Sequence, residues 1–158
     1  MTTAAQSGGC QCGAVRFRVA GTLGDASICH CRMCQKAFGA FFAPLVSLGD
    51  ATLEWTREAP QRFASSNQAS RLFCEKCGSP LGYDAPDGLG LAIGAFDEPN
   101  TIVPERQWGM EAKLECMATL NDLPSSRTEE DATTAPFLAD VVSNQHPDFD
   151  TDTWEPRT

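Results

Sequence analysis

Seven of the eight cysteines in this 158-residue chain fall into three tight groups, and these groups constrain the fold more than any other feature. The first is Gly9-Cys10-Gln11-Cys12-Gly13, the second Cys29-His30-Cys31-Arg32-Met33-Cys34, and the third Cys74-Glu75-Lys76-Cys77-Gly78; Cys116 stands apart. In a secreted chain such a count would mark a disulfide framework. Residues 1–9 hold no basic stretch and no apolar run of the kind an export signal needs. No later segment approaches the length of a membrane-spanning helix. The expectation is therefore a cytoplasmic, reducing location, with no membrane partner, where clustered cysteines bind metal.

Composition adds two bounds. The chain is 42% hydrophobic but only 8% aromatic, with 13 Gly and 10 Pro, so a metal staple would help a loop-rich domain hold together. Its formal charge of −9 repels phosphate backbones, which argues against general nucleic-acid binding.

The intervening segments read as short strands. Val15, Phe17 and Val19 alternate with Arg16 and Arg18, which predicts a half-buried strand over 14–20 ended by Gly21. A second short strand is expected at 27–29 and a helical turn at 34–38. Pro44 inside the apolar stretch 41–47 predicts an edge or bulged strand. Further strands are expected at 51–55, 61–64, 71–73, 79–83 and 89–95, with Pro86-Asp87-Gly88 as a hairpin turn. This spacing predicts a mostly β, antiparallel domain. Residues 1–8 read as a flexible leader, 9–124 as the zinc-binding all-β domain, and 125–158 as an acidic C-terminal appendage, partly mobile. Phe137, Leu138, Val141 and Val142 could dock that appendage on the domain or on a partner, and Trp154 is expected to make a loose surface contact.

Two metal centres follow from the groups. A Cys-x-x-Cys-Gly turn aims two sulfurs at one point, and Gly78 can take the positive φ that such a turn requires. A closed structural site needs four ligands, so Cys10 and Cys12 are expected to join Cys74 and Cys77. The alternative for Cys74 and Cys77 is a dithiol redox switch. Cys29, Cys31 and Cys34 place three thiolates within six residues, which leaves the fourth tetrahedral position open, as in a catalytic zinc. The alternative is a second closed site with Cys116 or a histidine as fourth ligand; Cys116 could also be a buried small hydrophobe.

The ordered set of Cys-x-Cys, Cys-His-Cys-x-x-Cys and Cys-x-x-Cys-Gly resembles the glutathione-dependent formaldehyde-activating enzymes and their centromere-protein-V-like relatives. The resemblance rests on residues 9–15, 29–36 and 73–79 and continues more weakly through Gly94, Asp97, residues 111–114, Leu123 and Pro124. It implies a β-tent fold with two zinc ions per chain. The structural zinc would sit on Cys10, Cys12, Cys74 and Cys77, and the catalytic zinc on Cys29, Cys31 and Cys34. The implied reaction joins glutathione to formaldehyde as S-hydroxymethylglutathione, a carbon–sulfur lyase reaction in the reverse sense. Two positions depart from the family: Gln107 stands where a His is common, and Cys116 where a Trp is found.

The remaining candidates carry less chemistry. Alternation along an extended segment points His30 away from the metal, into a supporting or surface role. Arg32 and Lys36 could bind a carboxylate of a glutathione-like thiol, or could form a solvated basic face. With only His30 and His146, a serine triad has poor candidates. The expected function is a zinc enzyme acting on a thiol–aldehyde adduct, with a small thiol and a small aldehyde as partners. The rivals are a non-catalytic zinc module that binds a protein through the tail, and a dithiol redox protein.

Overall fold

The computed structural model of the chain describes residues 5–130 and 136–155. Its strands are β1 (Gln6–Gly9), β2 (Arg16–Ala20), β3 (Ala26–Cys29), β4 (Ala43–Ser47), β5 (Thr52–Trp55), β6 (Gln61–Ala64), β7 (Ser70–Phe73), β8 (Pro80–Ala85), β9 (Gly88–Ala92) and β10 (Arg106–Trp108), with one helix, α1 (Arg32–Phe38). β1, β2 and β5 make a three-stranded antiparallel sheet with β2 in the middle. The other seven strands form one sheet in the order β10-β3-β4-β9-β8-β7-β6. The protein is thus mostly β, as the short alternating segments predict.

Three departures have physical reasons. β1 begins at Gln6, inside the stretch expected as a leader, because Gly8 pairs with Phe17 and with Phe96; residues 1–4 lie outside the described residues. β10 has only three residues and no alternating pattern to reveal it, and it pairs with β3 in parallel, so the large sheet is mixed. β4 is an interior strand despite Pro44. Its pairing with β9 starts only at Leu45, so at Pro44 it has a partner on the β3 side alone and the missing N–H breaks no ladder there.

Two apolar clusters hold the sheets. Phe17, Val46, Leu91 and Phe96 centre the first, where Phe17 meets Trp55 and Phe96 edge-on at centroid distances of 5.9 and 5.0 Å. The second is built from Ala14, Val15, Leu72 and Leu81 around Cys10, Cys12 and Cys74. The first cysteine centre is therefore part of a core.

The C-terminal appendage contains 3-10 turns at Thr128–Glu130 and Pro136–Asp140. Phe137, Leu138, Val141 and Val142 remain exposed, so they do not dock it on the domain. A later segment does. The His146 N–H donates to the Gln11 carbonyl at 2.8 Å, and Trp154 Nε1 donates to the Cys12 carbonyl at 2.8 Å. Arg57 donates from Nη1 to the Gly13 carbonyl and from Nη2 to the Thr151 carbonyl. Asp150 bridges Arg16 and Arg18, each at 2.8 Å, and Arg16 also grips Asp97 through both Nη atoms. That double partnership explains why Arg16 is buried on a strand whose pattern would turn it outward. Burial opposes ionisation of Asp150, but the two guanidiniums outweigh it and hold the carboxyl below its usual range.

This strap lies directly over the first cysteine turn. Gly13 has φ +74, and a Cβ there would run into the His146 ring and Trp154. His146 is only 3% exposed and meets Trp154 edge-on at 5.0 Å. His146→Ala is expected to cost about 1–3 kcal/mol of stability through lost packing and unpaired buried groups. Urea unfolding measures this directly; an unchanged midpoint would mean that the strap is not docked in solution.

Candidate metal centres

The first centre is made by two facing turns. Gly13 N–H donates to the Cys10 carbonyl and closes the first turn; Gly78 N–H donates to the Cys74 carbonyl and closes the second. Gly78 has φ +76, the positive value its position requires. Ser79 ties the two turns together: its Oγ accepts from the Gln11 N–H at 3.0 Å and lies 3.2 Å from Cys77 Sγ. The sulfurs of Cys10, Cys12, Cys74 and Cys77 all lie within 4.8 Å of one another.

The spacing is compatible with a tetrahedral metal site and not with disulfides. Cys10 Sγ lies 3.6 Å from Cys12 Sγ, which lies 3.8 Å from Cys74 Sγ. A disulfide needs about 2.05 Å. A tetrahedron with sulfurs about 2.3 Å from a central zinc has edges of about 3.8 Å. As a free thiol Cys10 is pushed up by burial, chiefly because a lone thiolate is poorly solvated there. Cys77 runs the other way: burial opposes ionisation, yet Ser79 and backbone N–H groups bring it down to about 6. Four converging thiols, three buried and the half-buried fourth readily ionised, fit a divalent cation.

The second centre is built from the end of β3 and the start of α1. Cys29 ends the strand, and Cys31 caps the helix, its Sγ accepting from the Cys34 N–H at 3.4 Å. The three sulfurs of Cys29, Cys31 and Cys34 also lie within 4.8 Å of one another. Burial opposes ionisation of Cys31, but the Cys34 N–H and the neighbouring thiols outweigh it and lower its pKa. Burial pushes Cys34 up to about 12 even though the Arg71 guanidinium pulls it back. Both centres could hold metal, and both donor sets are compatible with zinc.

Cys116 belongs to neither group and is exposed, so it neither closes the second centre nor fills a core. His30 is fully buried and is also absent from the ligand groups. Its Nε2 lies 2.9 Å from Gln107 Oε1, its N–H donates to the Trp108 carbonyl, and its carbonyl accepts from Gln35 Nε2 at 2.7 Å. It thereby ties together β10, the cysteine loop and α1. Gln107 is thus the side chain that pairs with this buried ring.

A cavity of about 540 Å³ opens over the three cysteines, bounded by Leu45, Tyr83 and Trp108 and by the polar side chains of Ser65, Ser66 and Gln68. Arg32 and Lys36 do not line it. They line an adjoining cavity of about 630 Å³ that shares Met33, Ser65 and Arg71 with the first. Three residues at these centres carry no sequence signal of their own: Ser79, Arg71 and His146. Ser79 directly follows the Cys-x-x-Cys-Gly turn, and that adjacency was its only available clue.

The model of the family described as glutathione-dependent formaldehyde-activating enzyme matches residues 5–111. Among solved structures, the chain is similar to a crystal structure of a Rhodobacter sphaeroides protein, at 24% identity and a TM-score of 0.46. That likeness covers 65% of this chain and 98% of the other. Among the described residues no helix is long and apolar enough to cross a membrane.

Proposed function

The chain belongs to the family of glutathione-dependent formaldehyde-activating enzymes, and on that premise we propose that it joins a glutathione-like thiol to formaldehyde, or runs the reverse carbon–sulfur cleavage, using two zinc ions per chain. The observation that carries this reading is the contrast between the centres. One offers four converging sulfurs inside a core; the other offers three, facing a cavity.

In the forward direction a carbon–sulfur bond forms, the carbonyl π bond breaks, and the thiol proton ends on the former carbonyl oxygen. A zinc ion held by Cys29, Cys31 and Cys34 would supply a Lewis-acid position where a thiol is kept as thiolate at neutral pH. The chain supplies placement. Cys31 is oriented by the N–H of the helix it caps, and His30 with Gln35 fixes the loop behind it. Ser65, Ser66, Gln68 and Tyr83 line the cavity and are available to hydrogen-bond the aldehyde oxygen and the peptide groups of the thiol. Arg32 and Lys36, in the adjoining cavity, take a distant carboxylate.

Eight unpaired cysteines fit a reducing, cytoplasmic compartment. The partner-binding alternative loses Asp150 and Trp154, which the chain's own domain engages, and rests on the exposed Phe137, Val141 and Val142. The dithiol alternative loses support because four sulfurs converge at Cys74 and Cys77 rather than two.

Glutathione and formaldehyde also combine without help, so the test is the exchange rate at equilibrium. The protein at substoichiometric concentration should accelerate exchange between free formaldehyde and its thiol adduct, read by magnetisation-transfer NMR. A carrier would only sequester adduct in proportion to its own concentration, and that outcome would overturn the enzyme reading. Replacing both Arg32 and Lys36 by Ala should raise KM about tenfold, equivalent to about 1.4 kcal/mol, with kcat unchanged. Steady-state kinetics over a glutathione series checks it; an unaltered KM would remove these residues from the substrate site.

A further inference from the structure

Arg71 sits on β7 beside the open centre and is 7% exposed. Its Nη1 and Nη2 lie 3.5 and 3.4 Å from Cys34 Sγ. Its guanidinium stacks over the Tyr83 ring at 4.9 Å, and Nε reaches Ser65 Oγ at 3.4 Å. Among the described residues no carboxylate pairs with it. A buried guanidinium without a carboxylate is costly unless other negative charge compensates it. With a divalent metal bound, the thiolates of the cysteine cluster would supply that charge. Arg71 is also the one cationic side chain lining the cavity over the cluster, where Asp25 and Asp87 are the acidic ones.

We propose that Arg71 is a positioning residue that makes the three-cysteine centre prefer an anionic thiolate over a neutral group as its fourth partner. Three thiolates around a divalent ion leave one net negative charge, and an incoming thiolate makes two. Two carboxylates in the same cavity add to the repulsion. Without a fixed cation at sulfur distance the fourth position would favour water or a neutral donor. Arg71 provides that cation, and its two-pronged contact with Cys34 together with the Tyr83 stack holds it in place without a flexible arm. The role differs from that of Arg32 and Lys36, which line the adjoining cavity and not the one over the cluster. It rests on the reading that a thiol occupies the open centre.

The test uses the cobalt-substituted protein, whose sulfur-to-cobalt charge-transfer absorption reports each new thiolate. Glutathione, 2-mercaptoethanol and imidazole are titrated against wild type, Arg71→Met and Arg71→Lys. Arg71→Met keeps apolar bulk beside Tyr83 and removes the charge. It should weaken both thiols about 10- to 100-fold while imidazole affinity stays unchanged, and Arg71→Lys should recover part of the loss. Metal content of two per chain shows that the variants are folded. Equal weakening of thiols and imidazole would mean a merely structural role. Weakening of glutathione alone, with 2-mercaptoethanol unaffected, would mean that Arg71 binds a substrate carboxylate. Either result overturns the proposal, as would unchanged thiol affinity in both variants. If wild type shows no new absorption with either thiol, the reading of the open centre itself fails and this inference falls with it.

Discussion

Cys74→Ser is expected to yield a chain that does not fold cooperatively at 25 °C. Cys74 is 1% exposed and sits in the second apolar cluster, 3.8 Å from the sulfur of Cys12. That contact joins residues 62 positions apart. Its N–H donates to the Ser79 carbonyl, so the same residue anchors the β7–β8 turn. Structural zinc sites contribute about 10–16 kcal/mol to small domains, whereas a folded domain is stable by only about 5–15 kcal/mol. Serine is a poor zinc ligand, and the three remaining thiols would be left buried around a hydroxyl. Circular dichroism through a thermal ramp should show no sharp transition. A variant that melts cooperatively near the wild-type temperature would remove the structural role from this centre.

Cys31→Ser should do the opposite: fold well and lose turnover. Neither apolar cluster includes Cys29, Cys31 or Cys34. Cys31 is only partly buried, and its capping contact can be taken over by a serine oxygen. The stability change should stay within about 1–2 kcal/mol. Turnover should fall at least about a hundredfold, since a Lewis-acid centre is worth several kcal/mol in the transition state. The paired readings are the urea midpoint and the NMR exchange rate. Full exchange activity in a folded variant would take the catalytic role away from this cluster.

The two cysteine clusters were legible in the sequence because a metal site would demand particular atoms at short spacing, and few other uses place them so. β2 was legible for a similar reason, since Val15, Phe17 and Val19 must all face one way. β10 was not: Arg106, Gln107 and Trp108 alternate nothing, and they become a strand only because β3 offers an edge. The interior position of β4 was masked by Pro44, whose tolerance depends on where β9 stops. The strap was hidden most fully. His146, Asp150 and Trp154 read as polar tail, and their docking depends on carbonyls at Gln11 and Cys12 and on Arg16, more than a hundred positions earlier. Arg71 was hidden likewise, because its contact with Cys34 exists only after β7 packs beside α1.

The most direct test of the two-centre account is the number of zinc ions per chain, measured by native mass spectrometry on protein purified without added metal. The account predicts two, with one removed readily by a chelator, one retained, and only the retained ion present in Cys31→Ser. One ion per chain in the wild type, or none with the cysteines oxidised in pairs, would contradict it.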